Sequence, residues 1–163
     1  MRKSLVFLFQ IIMGVTLLVG CGDEGSNGDS AETTEWQPTT YESVNNIDGI
    51  TIDVKKGTIS SAGLTVILEN TSDKQYTYGE YYMLEKTING SWYQVPIVLD
   101  ENYGFNDIGY ELASSDVSEW TVDWDWLYGN LENGQYRLVK DVLDVREPGD
   151  YDTYYLAAEF TIN

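Results

Sequence analysis

The chain has 163 residues, with 27 acidic and only 9 basic side chains, a formal charge of −18. That balance excludes nucleic acid and an anionic bilayer as surfaces the folded protein grips directly, because both recruit basic patches. Histidine is absent and cysteine occurs once, which removes disulfides, the Ser-His and Cys-His nucleophile pairs and the commonest metal ligand. No catalytic cluster is expected, and the chain reads as a non-enzyme.

In chain order, Arg2 and Lys3 precede an apolar run from Leu5 to Val19, interrupted by Gln10, Gly14 and Thr16, and small Gly20 stands before Cys21. A positive start, an apolar middle and a small residue at the cleavage point make a secretory signal. A permanent span needs about 20 predominantly apolar residues, and this run is shorter. The ending Leu18-Val19-Gly20-Cys21 resembles the lipobox of bacterial lipoproteins. The resemblance implies removal of residues 1–20 and a thioether-linked diacylglycerol on Cys21. The expected location is therefore the outer face of the cell membrane. Two acyl chains hold where one grips only marginally. The mature chain would carry 7 bases and 27 acids, a formal charge of −20.

Residues 21–38 follow as a lipidated cysteine and an acidic spacer. Positions 22–38 hold five acids, no bases and many small polar residues, a composition that cannot offset the entropy of ordering. From residue 39 to 163 aromatic and β-branched residues alternate with polar ones, enough chain for one domain with a core.

The predicted strands come in sequence. Ile50 to Val54 alternates with period two, and Lys55-Lys56-Gly57 turns. Leu64, Val66 and Leu68 share one face, and Asn70 to Asp73 breaks the run. Tyr76 to Ile88 is one long extended stretch, kinked at Gly79. Asn89-Gly90 marks a type I′ hairpin that returns through Trp92 to Val95, and Pro96 ends the pairing. Residues 97–107 read mainly as loop, Ile108 to Leu112 as a short strand, and Ser114 to Asp116 as a turn. Trp120, Val122 and Trp124 then share a face, and Trp126 to Tyr128 forms a helical turn before Gly129. Tyr136 to Lys140 is a strand, Asp144 to Asp152 an acidic loop, and Tyr154 to Ile162 the last strand. Short strands without an amphipathic helix or a βαβ pattern predict an all-β antiparallel sandwich of about 7–9 strands.

Leu131, Gly134 and Tyr136 have the Leu-x-x-Gly-x-Tyr spacing of the tyrosine corner of Ig-like sandwiches. Tyr78-Gly79-Glu80, Gly90-Ser91-Trp92-Tyr93, Trp124 to Gly129, Gly134 to Lys140 and Ala158-Glu159-Phe160 together resemble a bacterial Ig-like domain of Gram-positive secreted and membrane-attached proteins. The resemblance covers the chain from about residue 42 onward. It implies an Ig-like sandwich without the antibody-type disulfide, serving as an adhesive, spacing or regulatory module, and it brings no catalytic residues. The Trp and Gly-x-Tyr spacing is also similar to small β-sandwich proteinase inhibitors of bacilli.

Three groups of residues are candidate sites. Period two sends Trp120 and Trp124 to the core, whereas Trp126 has the opposite parity and, with Tyr128, is the candidate partner surface. Asp144, Glu147, Asp150 and Asp152 are a candidate calcium set, although no ordered Asp-x-Asp-x-Asp-Gly loop is present. Solvated acids that keep a tethered protein soluble are the plainer account. Arg137 is expected to face away from Tyr136 and Leu138 or to lie at an edge, paired with a carboxylate such as Asp123, where its removal costs little. The function expected from the sequence is a membrane-anchored, non-catalytic binding module. Its partners are the membrane, through the lipid on Cys21, and an envelope protein or wall polymer. The alternatives are a calcium-stabilised surface module, or an extracellular proteinase inhibitor-like or regulatory domain. No cofactor other than calcium is expected.

Overall fold

The computed structural model describes residues 36–99 and 103–163. The signal segment, Cys21 and residues 22–35 of the spacer lie outside the described residues. The strands are β1 (Ile50–Val54), β2 (Gly63–Asn70), β3 (Tyr76–Tyr78), β4 (Tyr82–Ile88), β5 (Ser91–Gln94), β6 (Tyr110–Leu112), β7 (Val117–Asp123), β8 (Gly134–Glu147) and β9 (Asp150–Ile162). One helical turn, α1 (Asp125–Tyr128), follows β7.

The strands form two antiparallel sheets. The smaller has the order β1-β2-β7. In the larger, β9 pairs with β8 from Gly134 to Glu147, so β4 and β3 share the other edge of β8. β5 extends the sheet beyond β4, and β6 beyond β3. The stretch from Tyr76 to Ile88 is thus one interrupted strand. From Thr77 to Tyr82 it takes five steps where β8, from Leu143 to Lys140, takes three. The surplus is looped out around Gly79, Glu80 and Tyr81.

Period two decides the core. Leu64, Val66 and Leu68 of β2, Trp120 and Val122 of β7, Leu84 of β4, Leu138 of β8, and Leu156, Ala158 and Phe160 of β9 are all buried between the sheets. Each large apolar side chain buried in this way stabilises the fold by about 1.5–3 kcal/mol. Trp124 is fully buried and stacks on Phe160 at 5.4 Å, which stacks in turn on Tyr136 at 5.7 Å. The Trp124 indole N–H donates to the Ser61 carbonyl at 2.8 Å, so the buried ring leaves no donor unmet. Two glycines are fixed by geometry. Asn89 and Gly90 have φ of 53° and 81°, as a type I′ turn requires. A Cβ on Gly63 would lie 2.5 Å from the Val122 carbonyl oxygen.

The outer face of the larger sheet is covered by residues 36–47, which run across it as a strap. Gln37 and Thr39 bond the backbone of Gln94 and Trp92, and Pro38 bridges Tyr93. Tyr41 packs on Tyr155 at 4.8 Å. Asn45 then clamps the free edge of β9. Its backbone N–H donates to the Tyr155 carbonyl, and its side-chain amide both donates to and accepts from the backbone of Ala157, as a strand residue would. Trp36, Gln37 and Pro38, assigned to the spacer on composition, therefore belong to the folded unit. The apolar ring of Trp36 packs on the core, with the Lys86 ammonium over it at 5.9 Å.

The strap also corrects the placement of Arg137. That side chain points outward, as its parity requires, but it is only 6% exposed. It pairs with fully buried Glu85, not Asp123: Nε and Nη2 both lie 2.6 Å from Oε2. Trp92 stacks on the guanidinium at 4.5 Å and Thr39 accepts a further bond.

The acidic loop is corrected as well. β8 continues to Glu147 and β9 begins at Asp150, so only Pro148 and Gly149 turn the chain. The two strands are paired up to the turn, apart from a bulge at Arg146, and this holds the acids on a β-ribbon.

Candidate functional site: a groove along an open strand edge

The site is built on β7. Its even-numbered residues bond β2, as the flanking bonds from Asn70 N–H to the Asp116 carbonyl and from Trp124 N–H to the Ala62 carbonyl fix. The odd-numbered residues therefore turn their backbone groups away from the sheet. At one end the Asp116 carboxylate caps the Val117 N–H at 2.9 Å. At the other the Tyr82 hydroxyl donates to the Asp123 carbonyl at 3.4 Å. Between them the backbone groups of Glu119 and Thr121 have no hydrogen-bond partner among the described residues.

Beside this edge lies a groove of about 340 Å³ whose walls include Glu80, Tyr82, Phe105, Asn106, Asp123 and Trp126. The α1 turn aims Trp126 outward, because Leu127 and Tyr128 take its buried side. Trp126 is 42% exposed and its ring meets Phe105 edge-on at 5.8 Å. Phe105 in turn contacts Tyr81 and Tyr82, each at 5.3 Å, so the exposed indole rests on a fixed aromatic support. Glu80 accepts a short hydrogen bond from Tyr110, and Asp123 is exposed. Among the described residues, no lysine or arginine lines the groove.

Tyr128, paired with Trp126 on sequence grounds, does not belong to this surface. It is 7% exposed, its hydroxyl accepts the Leu84 N–H at 3.4 Å, and burial pushes its pKa up. Two residues along a helical turn rotate a side chain by about 200°, which carries Tyr128 to the buried face.

The structure disperses the four acids of the candidate calcium set. Asp144 is buried and pairs with Lys74 at 2.8 Å. Asp150 and Asp152 both bond Arg146, at 2.6 and 2.7 Å, and the guanidinium holds the Asp150 carboxyl below its usual range. Glu147 lies next to the turn. Among the described residues, no three His, Cys, Asp or Glu side chains come together as metal ligands.

At the corner before β8, the Tyr136 hydroxyl donates to the Glu132 carbonyl at 2.9 Å. Leu131 is buried, with its N–H on the Ser61 carbonyl, and Gly134 opens the β8 ladder opposite Ile162.

Sequence reasoning passed over Phe105 and Glu80, which sit in non-repeating segments with no periodic signal. Nor does it place Lys140 in the interior, where the side chain is fully buried on the core face of β8. Its ammonium bonds the Tyr81 carbonyl freed by the looped-out residues, and Asp141 at 2.9 Å, with the Trp120 ring 5.1 Å away. Burial pushes the Lys140 pKa down, against the pull of Asp141. Parity with Tyr136 and Leu138 was the signal that could have found it.

Among the described residues, no helix is long and apolar enough to cross a membrane. The family model described as bacterial Ig-like domain matches residues 46–161. No curated protein and no solved structure matches the chain.

Proposed function

The chain belongs to the bacterial Ig-like domain family, and from that membership we propose that it is an exported envelope lipoprotein whose sandwich is a non-catalytic interaction module. The partner is an envelope protein or a wall polymer. The observation that carries the interaction role is Trp126, held exposed on Phe105 at the mouth of a groove. A large apolar ring kept rigid at the surface loses little entropy on contact and is a common anchor of binding energy. The anchoring role is supported by the Leu18-Val19-Gly20-Cys21 motif.

Two measurements test the two halves. In detergent phase partition, the protein expressed in its host is expected in the detergent phase and its Cys21→Ser form in the aqueous phase. Equal partition of the two overturns the lipid anchor. The Cys21→Ser protein, added to isolated envelope fragments, is expected to sediment with them. Trp126→Ala should weaken that binding by about 2 kcal/mol, roughly thirtyfold. Unchanged binding would remove Trp126 from the interaction surface.

A further inference from the structure

Building on the reading of Trp126 and its groove as the interaction surface, we propose that the partner is a protein whose extended segment adds as a strand to β7, with lysine or arginine at alternate positions.

The first ground is the contrast between strand edges. A bare edge is a template for another chain, and proteins cover those they do not use. Residues 37–39 cover the edge of β5. Asn45 occupies the edge of β9 at Tyr155 and Ala157. β7 is treated differently: both ends of its edge are capped, at Val117 and Asp123, while Glu119 and Thr121 between them present open N–H and C=O groups. β1 also ends its sheet, but no aromatic ring lines the groove beside it.

The second ground is what an added strand would meet. Its side chains alternate, so every second one turns toward the interior side of the sheet edge, into the groove. There the walls offer Trp126 and Phe105 rings and the acids Glu80 and Asp123, with no base among them. A lysine or arginine fits both features. Its methylene stem lies on the rings and its charge reaches the carboxylates. The formal charge of −18 also speeds the arrival of a basic segment and repels an acidic one. A wall glycan could stack on Trp126, but it has no row of alternating donors and acceptors to match Glu119 and Thr121. Anionic wall polymers are repelled.

The test uses full-length protein in detergent micelles and amide hydrogen exchange at Glu119 and Thr121. Three blocked peptides of about eight residues are compared: alternating lysine and valine, alternating glutamate and valine, and the lysine peptide with alternate amides N-methylated. At about ten times its dissociation constant the lysine peptide should slow exchange at both amides roughly tenfold. The other two should leave it unchanged. Equal protection by the N-methylated peptide overturns strand addition, and equal protection by the glutamate peptide overturns the basic preference. If the lysine peptide does not protect these amides while Trp126→Ala still weakens envelope binding about thirtyfold, the strand proposal fails and the interaction surface stands. Binding to purified wall glycan in place of the peptide likewise assigns the surface to a polymer and overturns the proposal.

Discussion

Arg137 shows how far a single residue can be read before its surroundings are known. Alternation along Tyr136 to Lys140 correctly turns it away from the core, and the usual consequence is a solvated arginine whose loss is nearly neutral. Here the strap lies over it, so Arg137 is 6% and Glu85 0% exposed. One oxygen of Glu85, Oε1, has no hydrogen-bond partner among the described residues, which makes the carboxylate depend on Arg137 alone for compensation. Removing one partner of a buried pair leaves an uncompensated charge. Arg137→Ala is therefore expected to cost about 3–5 kcal/mol in urea unfolding. Replacing both residues with apolar ones of similar volume, Arg137→Met with Glu85→Leu, should recover most of that loss, because it removes the desolvation cost along with the attraction. A single substitution costing under about 1 kcal/mol would mean the pair is effectively solvated. The strap comes from a distant stretch of the chain, so no local pattern around Arg137 announces it.

Elements were legible where their residues repeat. β1, β2, β7 and the Asn89-Gly90 hairpin follow from period-two runs and a turn with one dominant geometry. The segment from Asp144 to Asp152 was not, because its many acids and its Pro-Gly pair carry the composition of a loop. What makes it a ribbon is the register it inherits from the long β8–β9 ladder, together with Arg146 bridging Asp150 and Asp152. The groove was half legible: Trp126 was visible by parity, whereas Phe105 reaches it from a segment without any repeat. The ribbon also bears on calcium. A cation there would have to displace a guanidinium and draw Asp144 away from Lys74. Melts in excess chelator and in millimolar calcium are expected to coincide. A site filled at about 100 times its dissociation constant would add roughly 2.7 kcal/mol, and a calcium-specific rise of that size would show the acids rearranging into a site.

At the scale of the molecule, charge and tyrosine burial set the response to solvent. Among the described residues, Lys55, Lys74, Arg137, Lys140 and Arg146 are all engaged in ion pairs, and Lys86 lies over Trp36 and Tyr136. These bases are engaged internally, and the acids set the surface field. Burial is the main cause raising the pKa values of Tyr41, Tyr82 and Tyr128. A raised folded pKa means stability that is complete below the unfolded value, 10.0, and is lost as pH rises above it. Lys140 acts in the opposite sense. Its depressed pKa lets the folded state shed a proton first, so its contribution grows as pH approaches 10.5. Three tyrosines outweigh one lysine above that point. The melting temperature is expected to hold from neutrality to about pH 10 and to fall beyond it. A melting temperature that stayed level to about pH 11.5 would show that these phenols ionise as freely folded as unfolded.

The strap also gives the molecule a mechanical order of events. Tension arriving from the N-terminal side is taken up first where Gln37 and Thr39 bond the rim strand β5, and only later by Asn45 on β9. Those contacts lie in succession along the strap, so a pull is expected to open them one after another, before the ladders between β4, β8 and β9. Stretching is expected first to admit water to Glu85 and Arg137, because Thr39 of the strap bonds the guanidinium. The strap is thus expected to yield ahead of the core and to re-form when the pull is released.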